Sequence, residues 1–83
     1  MKKTRKRSPA RNVIGQNILR ARLKIRPAIT QEDLCGRLAA RGILLDRSAI
    51  SRIENQSRYL MDYEIIAIAR CLKTPVAKLF PEE

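Results

Sequence analysis

The 83 residues of this sequence are enough for one domain with a modest hydrophobic core and too few for two. Its 18 lysine and arginine residues against 8 acidic ones give a formal charge of +10, which points to a polyanionic partner. No apolar run approaches the roughly 18 residues of a membrane span, and no signal peptide is apparent, so we expect a cytoplasmic protein without a membrane partner.

The start of the chain is its most basic stretch. Positions 1–12 contain six cations and no acid. Because this stretch has no apolar periodicity and its charges repel one another, we predict a disordered N-terminal arm over 1–11 and a single domain over 12–83. The arm is either a solubilising tail or a ligand of DNA phosphates or a minor groove. We favour contact with DNA through Lys3, Arg5, Lys6 and Arg7.

Two helices are predicted in the first half of the domain. Apolar residues recur at steps of three and four from Ile14 to Ile25, which predicts a helix that ends before Pro27. Thr30, followed three residues later by Asp33, has the spacing of a capping box and predicts the start of a second helix. That helix should end at Gly42 and turn Leu34, Cys35 and Leu38 inward.

Asp46 is a favourable N-cap and predicts a third helix over 46–55. Ile50 and Ile53 would face the core from this helix. Its opposite face would be polar, with Arg47, Ser48, Ser51 and Arg52 directed to solvent.

Two further helices complete an all-α, compact five-helix bundle. The fourth is predicted to start near Asp62, and its apolar side consists of Ile65, Ile68, Ala69 and Leu72. Thr74 and Pro75 predict the cap and the first helical residue of the fifth helix. Leu79 and Phe80 would then close the core.

The chemistry-bearing residues give little support to catalysis or metal binding. The sequence has no histidine, no phosphate-cradling glycine motif and no nucleophile with a base at a recognisable spacing. We interpret Cys35 and Cys71 as buried structural thiols rather than metal or redox centres. We therefore expect no enzyme activity, no metal and no cofactor.

The second and third helices carry the most specific pattern in the chain. Thr30-Gln31-Glu32 and Ser48-Ala49-Ile50-Ser51-Arg52-Ile53-Glu54-Asn55 read as a helix, a turn and a polar-faced second helix. Together with Ile14-Gly15, Ile68-Ala69 and Leu79-Phe80, they resemble the phage-repressor and Cro-like (XRE-type) helix-turn-helix family over nearly the whole folded region. The resemblance implies a repressor-like fold and a nucleoid-associated transcriptional regulator, prokaryotic or phage-borne.

Two segments of the chain are longer than is usual in that family. The turn between helices 2 and 3 has about five extra residues, and the link between helices 1 and 2 about two, which resembles a longer-turn variant. We expect residues 41–45 to lengthen helix 2 or its exit. Either Leu44 or Leu45 should supply the apolar side chain that plugs the turn.

The resemblance also assigns side chains to the DNA interface, namely Gln31, Arg47, Ser48, Ala49, Ser51, Arg52, Asn55 and Arg58. Gln31 would contact a phosphate, Ala49 a thymine methyl, and Arg47 and Arg52 base edges. A cation in the first helical turn opposes the helix dipole, which favours a DNA role for Arg47 over that of a solvated residue. The residues after helix 3 are either phosphate ligands or a plain polar loop. Glu54 should pair with Arg22 rather than meet DNA.

These observations predict a sequence-specific double-stranded DNA-binding regulator, a repressor or similar, that binds half-sites about 34 Å apart as a homodimer. The main alternative is a protein-interaction module, such as an antitoxin or adaptor, whose marker would be an exposed apolar patch. A further alternative is a chromosome-coating protein with little sequence preference. RNA is a minor one, because two tyrosines make a poor stacking platform.

Overall fold

The structure is a computed structural model that describes residues 10–82. Its helices are α1 (Gly15–Lys24), α2 (Gln31–Ala40), α3 (Arg47–Glu54), α4 (Asp62–Cys71) and α5 (Val76–Leu79), and residues 10–82 contain no strand. The prediction of an all-α domain with five helices is confirmed. None of the described helices is long and apolar enough to cross a membrane. The first nine residues of the predicted arm lie outside the described residues.

One hydrophobic core joins the five helices. Its largest fully buried side chains come from all of them and from their links: Ile14, Ile18, Ile29, Leu34, Leu38, Ile50, Ile53, Ile68, Leu72 and Leu79. Helix α3 packs on α1 and α2, while α4 packs on α2 and α5, and α5 also contacts α1. Two helices therefore support α3 from the core side.

Local hydrogen bonds fix the starts of α2 and α3. The Thr30 hydroxyl accepts a 3.0 Å bond from the Asp33 N–H, and the Asp33 carboxylate accepts a 3.1 Å bond from the Thr30 N–H. These bonds, chiefly the one from the Thr30 backbone, lower the pKa of Asp33. Asp46 accepts a 2.8 Å bond from the Ala49 N–H. Both predicted N-terminal caps are confirmed.

The turn between α2 and α3 decides how α3 is placed. Helix α2 ends at Ala40, so the extra residues extend its exit rather than the helix itself. Gly42 follows with a φ of 84°, a left-handed conformation that glycine adopts without strain. Leu45 is 9% exposed and packs into the core, whereas Leu44 is 85% exposed. Leu45 is therefore the residue that plugs the turn.

The C-terminal helix differs from its prediction in two respects. Pro75 is the N-cap residue of α5 rather than its first helical residue, and the Thr74 hydroxyl donates to the Leu72 carbonyl at 3.0 Å instead of capping α5. Leu79 is fully buried, as predicted, but Phe80 is 42% exposed. The backbone is already extended at Phe80, which carries its side chain away from the core.

Candidate nucleic-acid interface

Helix α3 has one apolar and one polar side. Ile50 and Ile53 are fully buried. The exposed side chains of α3 and its C-cap are Arg47, Ser48, Ser51, Arg52 and Asn55, and we call this surface the α3 face. A helix with its side chains is about 10–12 Å wide, and the major groove of DNA is about 12 Å wide. The α3 face therefore has the size and polarity that base-edge recognition requires.

The two arginines of the α3 face are held differently. Arg52 Nη1 donates to Ser48 Oγ at 2.9 Å, so its guanidinium lies along the helix one turn back. The Arg47 side chain makes no hydrogen bond or ion pair with any residue between 10 and 82. It lines a shallow pocket between the starts of α2 and α3, together with Thr30, Gln31 and Glu32. Arg47 is therefore available to a ligand at this end of α3.

A buried ion pair fixes α3 against α1. Arg22 donates from Nε to Glu54 Oε2 at 2.8 Å and from Nη2 to Oε1 at 2.9 Å, and the two side chains are 8% and 6% exposed. The expected pairing of Glu54 with Arg22 is confirmed. Arg22 Nη1 also donates to the Ile29 carbonyl at 2.9 Å, and Gln31 Nε2 to Glu54 Oε1 at 3.0 Å. The pair thus ties α1, α2 and α3 together beneath the α3 face.

Gln31, the expected phosphate ligand, makes a hydrogen bond within the protein through its side-chain amide. Its amide nitrogen carries two N–H groups, of which one donates to Glu54. The other remains available at the N-terminal end of α2, where the helix dipole favours an anion. The intramolecular bond is therefore compatible with a phosphate contact.

The segment after α3 is organised by its own hydrogen bonds. Asn55 Oδ1 accepts from the Ser57 N–H at 3.1 Å and from the Ser57 hydroxyl at 2.6 Å, and Asn55 remains exposed. Arg58 is half-buried and donates from Nη1 to the Glu64 carboxylate at 3.3 Å and to the Tyr59 carbonyl at 3.0 Å. The contacts of Arg58 are therefore structural ones within the fold. Asn55 belongs to the exposed α3 face.

Residues 11 and 12 are hydrogen-bonded to the C-terminal end of α3 and to the segment after it. Asn12 Nδ2 donates to the carbonyls of Ile53 at 3.1 Å and Arg58 at 2.8 Å, while its Oδ1 accepts two N–H bonds at the start of α1. Gln56 Nε2 donates to the Asn12 carbonyl at 3.0 Å, and the Arg11 N–H donates to the Gln56 carbonyl at 2.9 Å. The chain therefore enters the domain beside the C-terminal end of α3.

Arg11 also belongs to this region through its side chain. Its Nη1 donates to the Tyr59 hydroxyl at 3.1 Å, and its guanidinium carbon lies 5.3 Å from the centre of the Tyr59 ring. The structure thus attaches Arg11 to the folded domain. The arm residues Lys3, Arg5, Lys6 and Arg7 lie outside the described residues, and their contact with DNA stays a prediction.

Ala49 is placed differently from its expected role at a thymine methyl. Only 6% of its surface is exposed, and it packs in the core cluster with Ile50 and Ile53. Helix α3 packs on α1 and α2, and the burial of Ala49 places its methyl group on the protein side of α3. Its burial speaks against a base contact, and Ala49 is not part of the α3 face.

The roles of Asn12 and Gly15 were missed by the sequence analysis. A Cβ on Gly15 would overlap the Ile53 carbonyl oxygen and lie 2.9 Å from that of Glu54, so α1 and α3 meet at a distance that only glycine allows. The signals in the sequence were a glycine at the head of an apolar stripe and an asparagine three residues before it. Neither signal says which distant segment is the partner.

Comparison of the chain with protein-family models, curated proteins and solved structures finds no match in any of the three. Within the described residues, no three His, Cys, Asp or Glu side chains lie together as metal ligands would. Both thiols are free; Cys71 is buried and Cys35 is half-buried. Burial raises the pKa of the Cys35 thiol.

Proposed function

We propose that the chain is a sequence-specific double-stranded DNA-binding transcription regulator, a repressor of the phage-repressor and Cro-like type. In this proposal α3 lies in the major groove. The α3 face carries the argument, because its five polar side chains are all exposed while Ile50 and Ile53 behind them are fully buried. Arginine can donate to guanine O6 and N7 together, which discriminates against a wrong base by about 1–3 kcal/mol. Arg47 and Arg52 are the side chains to which we assign this role.

The surroundings of α3 support the proposal. Base-edge contacts need side chains held to within about half an ångström, which requires a rigid support. The Arg22–Glu54 pair and the close approach at Gly15 supply that support. Arg11 beside Tyr59 holds the last residue of the arm on the same side, where the cations of the arm would add phosphate contacts without sequence information.

Selection from a pool of random duplexes tests the proposal. Wild type should enrich a palindromic motif, whereas Arg47→Ala, Arg52→Ala should bind weakly and enrich none. A matched control, Lys24→Ala, Arg26→Ala, removes the same charge from exposed positions at the end of α1. The control should bind somewhat less tightly but enrich the same motif, because phosphate contacts carry no sequence information.

Two results would contradict the proposal. If wild type binds DNA in a salt-sensitive way but enriches no motif, the protein coats DNA without reading it. If both double variants lose the motif equally, overall charge rather than the α3 face decides the selection.

We also propose that two copies bind DNA together, because one short helix reads few base pairs and half-sites about 34 Å apart would double the contacts. Leu79 is fully buried and cannot contribute to a dimer surface, whereas Phe80 is 42% exposed. Sedimentation of the protein with palindromic and half-site duplexes should give two copies and one copy per duplex. One copy on both duplexes would exclude the dimer.

A protein-binding module is the second candidate, and one observation favours it. Val13, Tyr59 and Phe80 are 56%, 66% and 42% exposed, and they border a groove that Leu60 and Ile65 also line. Such a patch is the feature expected of an adaptor or antitoxin surface. A Tyr59→Ser, Phe80→Ser variant that keeps motif selection but loses a biological effect in cells would support this candidate.

A further inference from the structure

The domain has a second surface on which cations occur without carboxylates. It consists of two adjoining depressions that share Lys73, and no acidic residue lines either of them. We call it the second basic surface, and the cations that define it are Arg20, Lys24, Arg37, Arg41, Arg70, Lys73 and Lys78.

The second basic surface is separate from the α3 face. No residue between 47 and 61 lines either depression. Helix α2 runs from one surface to the other. Gln31 at its N-terminal end donates to Glu54 of α3, whereas Arg37 and Arg41 lie at its C-terminal end. Ten residues at about 1.5 Å each make α2 roughly 15 Å long. Each surface can therefore hold a ligand of its own.

Helix dipoles account for part of this charge, because Lys24, Arg37, Arg70 and Lys78 lie in the last turns of their helices. One of these cations also reaches a helix end by a hydrogen bond, from Arg37 Nη1 to the Cys71 carbonyl at 3.5 Å. Arg20 Nη1 donates to Asn17 Oδ1 at 2.8 Å. None of the seven cations forms an ion pair with an acid between residues 10 and 82. No ion pair between residues 10 and 82 therefore competes with an anionic ligand for these cations.

We propose that the second basic surface binds the phosphate backbone of a second DNA duplex, so that the protein joins two DNA segments. Phosphate oxygens accept hydrogen bonds from arginine and lysine irrespective of base sequence. No aromatic residue lines the two depressions, so the surface lacks the stacking platform that single-stranded nucleic acid uses. The proposal goes beyond the function of the α3 face and holds whether or not α3 reads sequence.

Capture of a second duplex tests this proposal. A random-sequence duplex on beads is saturated with protein, and the binding of a fluorescent second duplex is then measured over a range of salt concentrations. The variant Arg41→Gln, Arg70→Gln, Lys73→Gln removes three exposed charges from the second basic surface. Its matched control, Arg41→Lys, Arg70→Lys, Lys73→Arg, changes the same three side chains and keeps their charge. Urea unfolding curves verify that both variants fold as wild type does.

We expect wild type and the charge-preserving variant to capture the second duplex, and the surface variant to bind the first duplex normally but to capture the second far more weakly. Three lost phosphate contacts would make the salt dependence of second-duplex binding shallower by about 2.7 in log–log slope. Capture by the surface variant at the wild-type level would overturn the proposal, as would equal loss in both variants or no capture by wild type. Because the capture assay uses random-sequence duplexes, its result does not depend on whether wild type enriches a motif in the selection experiment.

Discussion

Replacing Glu54 by alanine should lower the free energy of unfolding by about 3–5 kcal/mol, because it leaves a buried guanidinium without its anion. The Arg22 side chain is only 8% exposed, so water cannot replace the lost carboxylate. Its remaining hydrogen bond would be the 2.9 Å bond to the Ile29 carbonyl. A domain of 83 residues is stable by roughly 4–12 kcal/mol, so the variant would lie near the limit of folding.

A second variant separates the cost of the lone charge from the value of the pair. The double variant Arg22→Leu, Glu54→Leu removes both charges and fills the site with apolar side chains. Such a replacement often leaves the free energy of unfolding unchanged, provided that every other polar group keeps its hydrogen-bond partner. Here the buried Ile29 carbonyl would lose its partner, which costs about 1–3 kcal/mol, while the half-buried Gln31 amide can donate to water instead. The double variant should therefore be more stable than Glu54→Ala and less stable than wild type.

Urea unfolding followed by far-ultraviolet circular dichroism measures these differences. Glu82→Ala is the control, since Glu82 is exposed and its loss should change the free energy of unfolding by less than about 0.5 kcal/mol. A loss below about 1 kcal/mol for Glu54→Ala would place the pair among weak surface bridges and refute the reasoning. A double variant less stable than the single one would refute it as well.

Three further predictions concern single residues elsewhere in the fold. A methyl group at Gly15 would overlap the Ile53 carbonyl oxygen, so Gly15→Ala should lower the free energy of unfolding by about 1–3 kcal/mol, and a wild-type urea curve would contradict this. The hydrogen bonds from Thr30 hold the pKa of Asp33 below its ordinary value of 3.8. The charged carboxylate therefore stabilises the fold above pH 3.8, and this stabilisation is lost as the pH falls through the lowered pKa. Asp33→Asn should therefore destabilise at about pH 7 but not at about pH 2, and an equal urea-measured cost at both would argue against it. Burial raises the pKa of the Cys35 thiol, so iodoacetamide should modify it more slowly than free glutathione at neutral pH, and mass spectrometry showing equal rates would count against this.

Features that depend on neighbouring residues could be predicted from the sequence. The bonds between Thr30 and Asp33 and from Ala49 to Asp46 join residues three positions apart, and both caps lie where the local pattern placed them. The spacing of Ile50 and Ile53 likewise identified the buried side of α3.

Features that depend on distant residues could not be predicted in this way. Asn12 bonds to carbonyls 41 and 46 positions away, and nothing near it in the sequence identifies them. Periodicity leaves Ala49 at the edge of the polar side of α3, and its burial becomes apparent only in the folded core. The pairing of Arg22 with Glu54, 32 positions apart, came from a family resemblance and not from any local pattern.

If the protein binds DNA as proposed, the bond between Arg11 and Gln56 limits how far along a duplex the N-terminal residues can reach. An extended chain spans at most about 3.6 Å per residue, so Lys3, eight positions before Arg11, stays within about 29 Å of that bond. Base pairs rise by about 3.4 Å, so this radius covers about eight of them. Under the proposed function, the backbone of Lys3 would therefore reach less than one helical turn of DNA, about 34 Å, from that bond.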